Sequence, residues 1–363
     1  VQVDPVLLLV LGLVLLVAGG EVLVRGASGA ATALGMPPLL VGLTVVSFAT
    51  SAPELAVSLD AALSGTPGLA VGNVVGSNIA NVLLVLGVAA LVGPILVQAQ
   101  LVRLDVPVLI AFSVALLVFA LDGAVSRLEG AVLLAALVGY LAVAVRLVRR
   151  TRADVASSSA ATAGTAPRPG VGRDLVLVLA GVALLVVGAG RLVDGASEIA
   201  ASLGVSELVI GLTVVAVGTS VPELVTTVIA AVRGQRDLAV GNAVGSCLFN
   251  IGAVLAVTAI AAPDGVPVAD EAIAFDLPFM VATAVALLPV AVSGLTIQRW
   301  EGALFVGYYV AYLTFLVLQA TEHAALRPFS VAMLAFVIPI TVVTVLVVMI
   351  GDLARRRAGA PAG

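Results

Sequence analysis

The chain has 363 residues, 61% of them hydrophobic and only 10% charged, with a formal net charge of −4 and a mean hydropathy of +1.24. Soluble domains carry about a quarter charged residues and under half apolar ones, so this composition excludes a soluble protein and leaves a polytopic membrane protein. One cysteine, Cys247, and one histidine, His323, exclude an intrachain disulfide and a Cys/His metal cluster, so any metal site must be built from oxygen, which suits hard cations.

The first apolar run follows the acidic start "VQVDP", which has no basic n-region and so reads as an uncleaved membrane helix. Runs long enough to span a bilayer lie near 6–24, 39–63, 69–92, 105–121 and 129–148, then 174–193, 206–232, 238–261, 273–293, 301–319 and 329–350. Between these two groups the stretch "RRTRADVASSSAATAGTAPRPGVGRD" is rich in Ser, Ala, Pro and Gly, the composition of a flexible linker. The expected division is a first five-helix repeat at 1–148, a linker at 149–173, a second repeat at 174–320, and an extra eleventh helix with a basic tail at 321–363.

Every basic side chain is arginine. With the N-terminus outside, one membrane side collects Arg25, Arg103, Arg146, Arg149, Arg150, Arg152, Arg173, Arg233, Arg236, Arg299 and Arg355–Arg357. The other side keeps little beyond Arg127 and Arg327 and gains Asp264, Asp270 and Glu271. The positive-inside rule assigns the first set, with the linker and the C-terminus, to the cytoplasm.

Residues 42–83, "GLTVVSFATSAPELAVSLDAALSGTPGLAVGNVVGSNIANVL", align without a gap on 211–252, "GLTVVAVGTSVPELVTTVIAAVRGQRDLAVGNAVGSCLFNIG", and about half the positions are identical. Glu54 and Glu223 are 169 apart, as are Asn81 and Asn250. The likeness extends to Asp105-x-Pro107 with Asp276-x-Pro278, and to "RLEGA" at 127–131 with "RWEGA" at 299–303. Two halves of five helices follow. Because five is odd, the second half crosses in the opposite sense, the inverted-repeat pattern of secondary transporters, whose sites lie where interrupted helices of both halves meet.

Pro53 and Pro222 each lack an N–H and clash with the carbonyl four residues back, so the carbonyls of Ala49, Thr50, Gly218 and Thr219 should lose their normal partners. Free carbonyls at membrane depth are tolerated where they line a cavity or meet a ligand. Beside them stand the hydroxyls of Thr50, Ser51, Thr219 and Ser220 and one carboxylate per half, Glu54 and Glu223. Ser77 with Asn81, and Ser246 with Asn250, are spaced by four and share a helical face. Such an oxygen cluster suits calcium, which takes six to eight oxygens, and two carboxylates balance one divalent or two monovalent cations. The G-x-x-x-G pairs Gly72–Gly76 and Gly241–Gly245 read as helix packing. Asp60, unmatched in the second half where Ile229 stands, reads as a vestibule or interfacial charge. Asp105, Asp276, Arg127, Glu129, Arg299 and Glu301 read as helix-end caps and pairs.

At "ATSAPE…GNVVGSNIAN" and "GTSVPE…GNAVGSCLFN" the sequence resembles the cation/calcium exchanger superfamily, in its prokaryotic sodium/calcium antiporter branch. The resemblance runs to about residue 320. It implies an all-α, ten-helix inverted-repeat antiporter of the inner (plasma) membrane, exchanging calcium for sodium by alternating access and normally extruding calcium. It implies that Glu54 and Glu223, with the carbonyls of Thr50 and Thr219, hold calcium. Ser51, Ser77, Asn81, Ser220, Ser246 and Asn250, with the backbone at Ser47 and Ala216, would form flanking sodium sites. Transported calcium and sodium and the lipid bilayer are then the expected partners, with no cofactor, no nucleic acid and no required oligomer. Neutral Asn81 and Asn250 weigh against potassium dependence, and Cys247 stands where the first repeat has Asn78. The moving part suggested by the resemblance is the pair of first and sixth helices, with glycines around Gly19–Gly20 and Gly188–Gly190 easing its sliding. A proton/calcium exchanger using the same two glutamates is the alternative; a channel or a membrane enzyme is a more distant one.

Overall fold

A computed structural model describes residues 4–64, 68–158, 171–205, 207–210, 213–214 and 216–357. It is nearly all helical, with four two-residue strands. Helix α1 (Pro5–Leu34) starts behind Asp4, whose carboxylate accepts from the Val6 N–H at 2.8 Å, with proline in the first turn where its missing N–H removes no helix bond. It ends at Gly35, whose φ of 59° is the left-handed stop that glycine adopts freely. The helix therefore runs ten residues past its expected end.

Helices α2 (Pro38–Thr50) and α3 (Ala52–Leu63) are one span bent by 41° at Ser51. Then come α4 (Gly68–Val92), β1 (Ile95–Leu96), α5 (Leu101–Ala120), β2 (Ala124–Val125) and α6 (Arg127–Ser158). In the second half, α7 (Val171–Ser202) is followed by α8 (Glu207–Ile210), α9 (Ala216–Thr219), α10 (Val221–Val232) and α11 (Arg236–Ala261). The chain closes with β3 (Val266–Pro267), α12 (Ala272–Val292), β4 (Thr296–Ile297), α13 (Arg299–Ala320) and α14 (Leu326–Gly351, continuing helical to Arg357). Among the described residues nine helices are long and apolar enough to cross a membrane, ten with the bent pair counted as one span. Residues 149–158 of the expected linker continue α6 as helix, and 159–170 lie outside the described residues.

Helices α1 and α7 meet along a seam of glycines spaced by seven: Gly12, Gly19 and Gly26 on one, Gly181, Gly188 and Gly195 on the other. A seven-residue spacing drifts only about 20° per repeat, so each set stays on one face. A Cβ at Gly19 would lie 2.8 Å from the Leu185 nitrogen, and one at Gly181 2.6 Å from the Leu23 nitrogen, so the two backbones touch. The glycines expected to ease sliding instead join the two helices to each other. Two of them lie off the seam: Gly20 faces Ile229 and Val225 of α10, and a Cβ at Gly190 would have no described atom within 4 Å.

Helices α4 and α11 are the most enclosed spans, and their buried side chains form the centre of the main core with those of α5, α12 and α13. The strands pair across the halves. β1 is antiparallel to β4, with Ile95 opposite Ile297, and β2 is antiparallel to β3, with Val125 opposite Val266.

Candidate functional site

Both helix breaks have the same local form. Ser51 (φ −83°, ψ 2°) precedes α3 and Ser220 (φ −91°, ψ 3°) precedes α10, each followed by proline and then by a glutamate in the first helical turn. The proline cannot continue the bond ladder of the preceding helix, so the chain restarts in a new direction. Upstream carbonyls and a downstream carboxylate are thereby brought to one point. Glu54 and Glu223 are fully buried and lie within electrostatic reach of one another. Thr50, Ser51, Ser77, Asn81, Ser220, Ser246 and Asn250 are also buried, from α2, α4 and α11 and the turns beside α3 and α10. Thr219 is half-buried, and Ala216 is a helical backbone position opening α9.

Hydrogen bonds stitch the halves together here. The Thr50 hydroxyl donates to the Asn242 side-chain oxygen at 3.2 Å and lies 3.3 Å from the Ser246 hydroxyl. The Asn250 amide donates to the Asn78 side-chain oxygen at 3.3 Å, and the Cys247 thiol approaches the Asn78 carbonyl at 3.8 Å. The Ser47 hydroxyl donates to the Gly42 carbonyl at 2.7 Å in its own helix and lies 3.0 Å from the Asn242 carbonyl of the other half. The Ser47 carbonyl accepts from the Ser51 N–H at 2.9 Å and lies 3.4 Å from the Thr50 hydroxyl, whose single proton goes to Asn242 at the shorter distance, so one lone pair stays open.

What is left over is more informative. Both carboxylate oxygens of Glu54 and of Glu223 are buried with no hydrogen-bond partner. So are the hydroxyls of Ser51, Ser77 and Ser220, the whole amide of Asn81 and the side-chain oxygen of Asn250. An unmade bond at a buried polar atom costs about 1–3 kcal/mol, and more at a charged one. Seven residues orphaned together is far outside the ordinary scatter of a folded core, where such atoms are few and scattered. Among the described residues no three His, Cys, Asp or Glu side chains converge, so the charged part of the cluster is two carboxylates and the rest is neutral oxygen and amide.

The sodium/calcium exchanger protein family model matches residues 5–146 and 174–318. The chain belongs to that family. It is 38% identical over 304 residues to a putative antiporter CaxA of Alkalimonas amylolytica, covering 83% of this chain and 95% of that one. It is 33% identical over 343 residues to the sodium/calcium exchanger MaX1 of Methanosarcina acetivorans, covering 85% and 97%. The solved structure of the sodium-calcium exchanger NCX_Mj soaked with 10 mM Na+ and zero Ca2+ superposes with a TM-score of 0.73 at 32% identity, covering 85% of this chain and 98% of that one. The family match divides at the same place as the repeats, and α14 lies beyond its end.

Several polar groups around the site escape motif reading. The Asn73 amide donates to Ser58 Oγ at 3.0 Å and to the Glu54 carbonyl at 3.3 Å. Its repeat mate Asn242 donates to Thr227 Oγ1 at 2.9 Å and to the Glu223 carbonyl at 3.5 Å. The signal was present as "AVGN", repeated at the same offset of 169 as the glutamates. Thr226, one turn from Glu223 on the same face, has a fully buried hydroxyl with no partner, where the first half has Val57.

Asp105 and Asp276 are not caps. Each ends a π-helical turn, Leu101–Asp105 and Ala272–Asp276, that carries the helix past the proline, and neither side chain bonds the helix start. Asp105 is fully buried and accepts from the Tyr140 hydroxyl at 2.9 Å; Asp276 accepts from Tyr312 at 3.0 Å. Glu129 and Glu301 do act as caps, accepting from the backbone of Ser126 and Gln298. Asp60 is exposed. Gly241 and Gly245 meet the backbone of α2 at Leu39 and Leu43, whereas no described atom lies within 4 Å of a Cβ at Gly72 or Gly76.

Proposed function

We propose that the chain is a secondary antiporter that exchanges calcium for sodium across the membrane by alternating access, normally extruding calcium. The observation that carries this is the set of orphaned buried oxygens around Glu54 and Glu223. Two opposed carboxylates without a counter-charge are repelled and desolvated together, and a cation between them relieves both penalties. Glu54 and Glu223 hold calcium with the carbonyls of Thr50 and Thr219. Ser51, Ser77, Asn81, Ser220, Ser246 and Asn250 provide the flanking sodium positions. The Ser47 carbonyl, bonded to the Ser51 N–H, keeps one lone pair for an ion, and Ala216 contributes through its backbone. Shared carboxylates make calcium and sodium occupancy mutually exclusive, which is what exchange requires.

The division into repeats 1–148 and 174–320 in opposite orientation is supported by the strand pairs. In sequence order β1 corresponds to β3 and β2 to β4, yet β1 pairs with β4 and β2 with β3. The loop after the third span of one half thus meets the loop after the fourth span of the other, as inversion demands. Arginine distribution supports an external N-terminus with residues 149–173 and the C-terminus in the cytoplasm.

The test is calcium-45 flux in vesicles under an imposed sodium gradient with the pH gradient collapsed, comparing wild type with Glu54→Gln and Glu223→Gln. Sodium-driven flux in the wild type and its loss in both variants are expected. Flux driven by the pH gradient alone would make the chain a proton/calcium exchanger, and normal transport by either variant would refute the site.

A further inference from the structure

We infer that α14 holds a phospholipid of the cytoplasmic leaflet against the transporter body, with an acyl chain in an apolar slot and an anionic headgroup at the arginines that end the helix. The slot has a volume of about 440 Å³ and is walled by α12, α13 and α14. Its lining is almost wholly apolar; Ala286, Phe305 and Val345 represent the three walls. Leu83 of α4 also lines it, two residues from Asn81.

Three observations select the occupant. First, all the lining residues belong to membrane-spanning helices, and the three hydroxyls among them, Thr283, Tyr308 and Thr341, already donate to helix carbonyls, so the slot offers water little and suits hydrocarbon. Second, the slot opens sideways toward the bilayer: Val285 is 46% exposed, Val342 50% and Leu346 41%. Helix α14 has no buried residue over its spanning window and is tied to α13 by a 3.5 Å bond from the Tyr308 hydroxyl to the Val337 carbonyl, so it stands off the body. Third, charge is matched at one end. Arg355, Arg356 and Arg357 end α14 nine residues beyond Leu346, about 14 Å along a helix, and exposed Arg299 starts α13 five residues before Leu304, about 7.5 Å away. Chain direction brings both sets to the same membrane face, the arginine-rich one. Basic residues beside a span attract anionic lipid headgroups. A second protein helix would not need that charge, and a neutral lipid would not use it.

Trp300, the single tryptophan, reports on the slot: it is 44% exposed and four residues before Leu304, on the same face of α13. The full chain is reconstituted in phosphatidylcholine vesicles containing a small fraction of acyl-brominated lipid, either phosphatidylglycerol or phosphatidylcholine, and Trp300 quenching is recorded. Brominated phosphatidylglycerol should be preferred by at least about fivefold, the contribution of one arginine engaged near the surface. The preference should vanish in Arg355→Gln/Arg356→Gln/Arg357→Gln, and quenching by both lipids should fall when the slot is filled by Ala286→Phe. Thr341→Phe, on the exposed outer wall where the fold is least dependent on packing, should act like Ala286→Phe. Equal quenching by the two headgroups overturns the inference. So does a headgroup preference that survives both filled slots, because the arginines would then bind lipid without the cavity. The readout is fluorescence alone and does not depend on which ions the chain carries.

Discussion

Alanine at Gly19 tests the contact between α1 and α7. Its Cβ would sit 2.8 Å from the Leu185 nitrogen, 2.9 Å from the Gly181 carbonyl oxygen and 2.9 Å from the Leu184 Cβ. Favourable non-bonded separations are about 3.5–4.0 Å, so the helices must part by roughly 0.6 Å or more. Two of the three obstacles are backbone, which no rotamer change can remove. Overpacking of this kind costs about 1–3 kcal/mol, and the better helix propensity of alanine returns up to about 1 kcal/mol. The net loss is about 1–2 kcal/mol, read as a fall of about 1–3 °C in the unfolding midpoint of the solubilised protein. Gly190→Ala is the control: it lies on α7 with nothing within 4 Å, so it should leave the midpoint unchanged or raise it. Gly181→Ala added to Gly19→Ala should cost less than its own single effect, because both side chains need the same gap. If Gly19→Ala and Gly190→Ala behave alike, the backbones are not in contact and the seam is wrong.

Tyr140→Phe removes a hydroxyl from buried Asp105 and should cost about 1–3 kcal/mol, most of it recovered in Asp105→Leu/Tyr140→Phe; additive losses in an unfolding cycle would refute the pairing. Asn242→Leu cuts bonds to Thr50, Thr227 and the Glu223 carbonyl together, so sodium-driven calcium flux should fall more than tenfold, and more than for Asn73→Leu, since Asn73 bonds Ser58 and the Glu54 carbonyl within its own half; equal effects would argue against the cross-half link. Thr226→Val, the residue found at position 57, should lower flux severalfold without lowering the unfolding midpoint; unchanged flux would show that this hydroxyl plays no part in the ion path.

Much of this was legible in the chain. Proline followed by glutamate at residues 53–54 and 222–223 marked the two breaks, because neither residue is tolerated in a span without a reason. The repeat offset singles out Ser77, Asn81, Ser246 and Asn250, all four of which are buried. Asp105 and Asp276 were misread because Asp-x-Pro is a helix-start signal. A π-helical turn lets the helix run through it, so the aspartates fall inside the membrane beside tyrosines 35 and 36 residues away. No local pattern carries that pairing. Asn73 and Asn242 do stand in a repeated motif, "AVGN", but only the fold shows that their amides bond the backbone of the glutamates.

The sequence by itself determined the solvent and the position of the two Pro-Glu helix breaks, since those depend on composition and on residues adjacent in the chain. Only the tertiary structure decided which oxygens remain unpartnered, that glycines spaced by seven join α1 to α7, and that α14 stands off the body behind an apolar slot. Those properties depend on distances between residues far apart in sequence. An oxygen is orphaned, or a glycine crowded, only by what the rest of the chain brings against it.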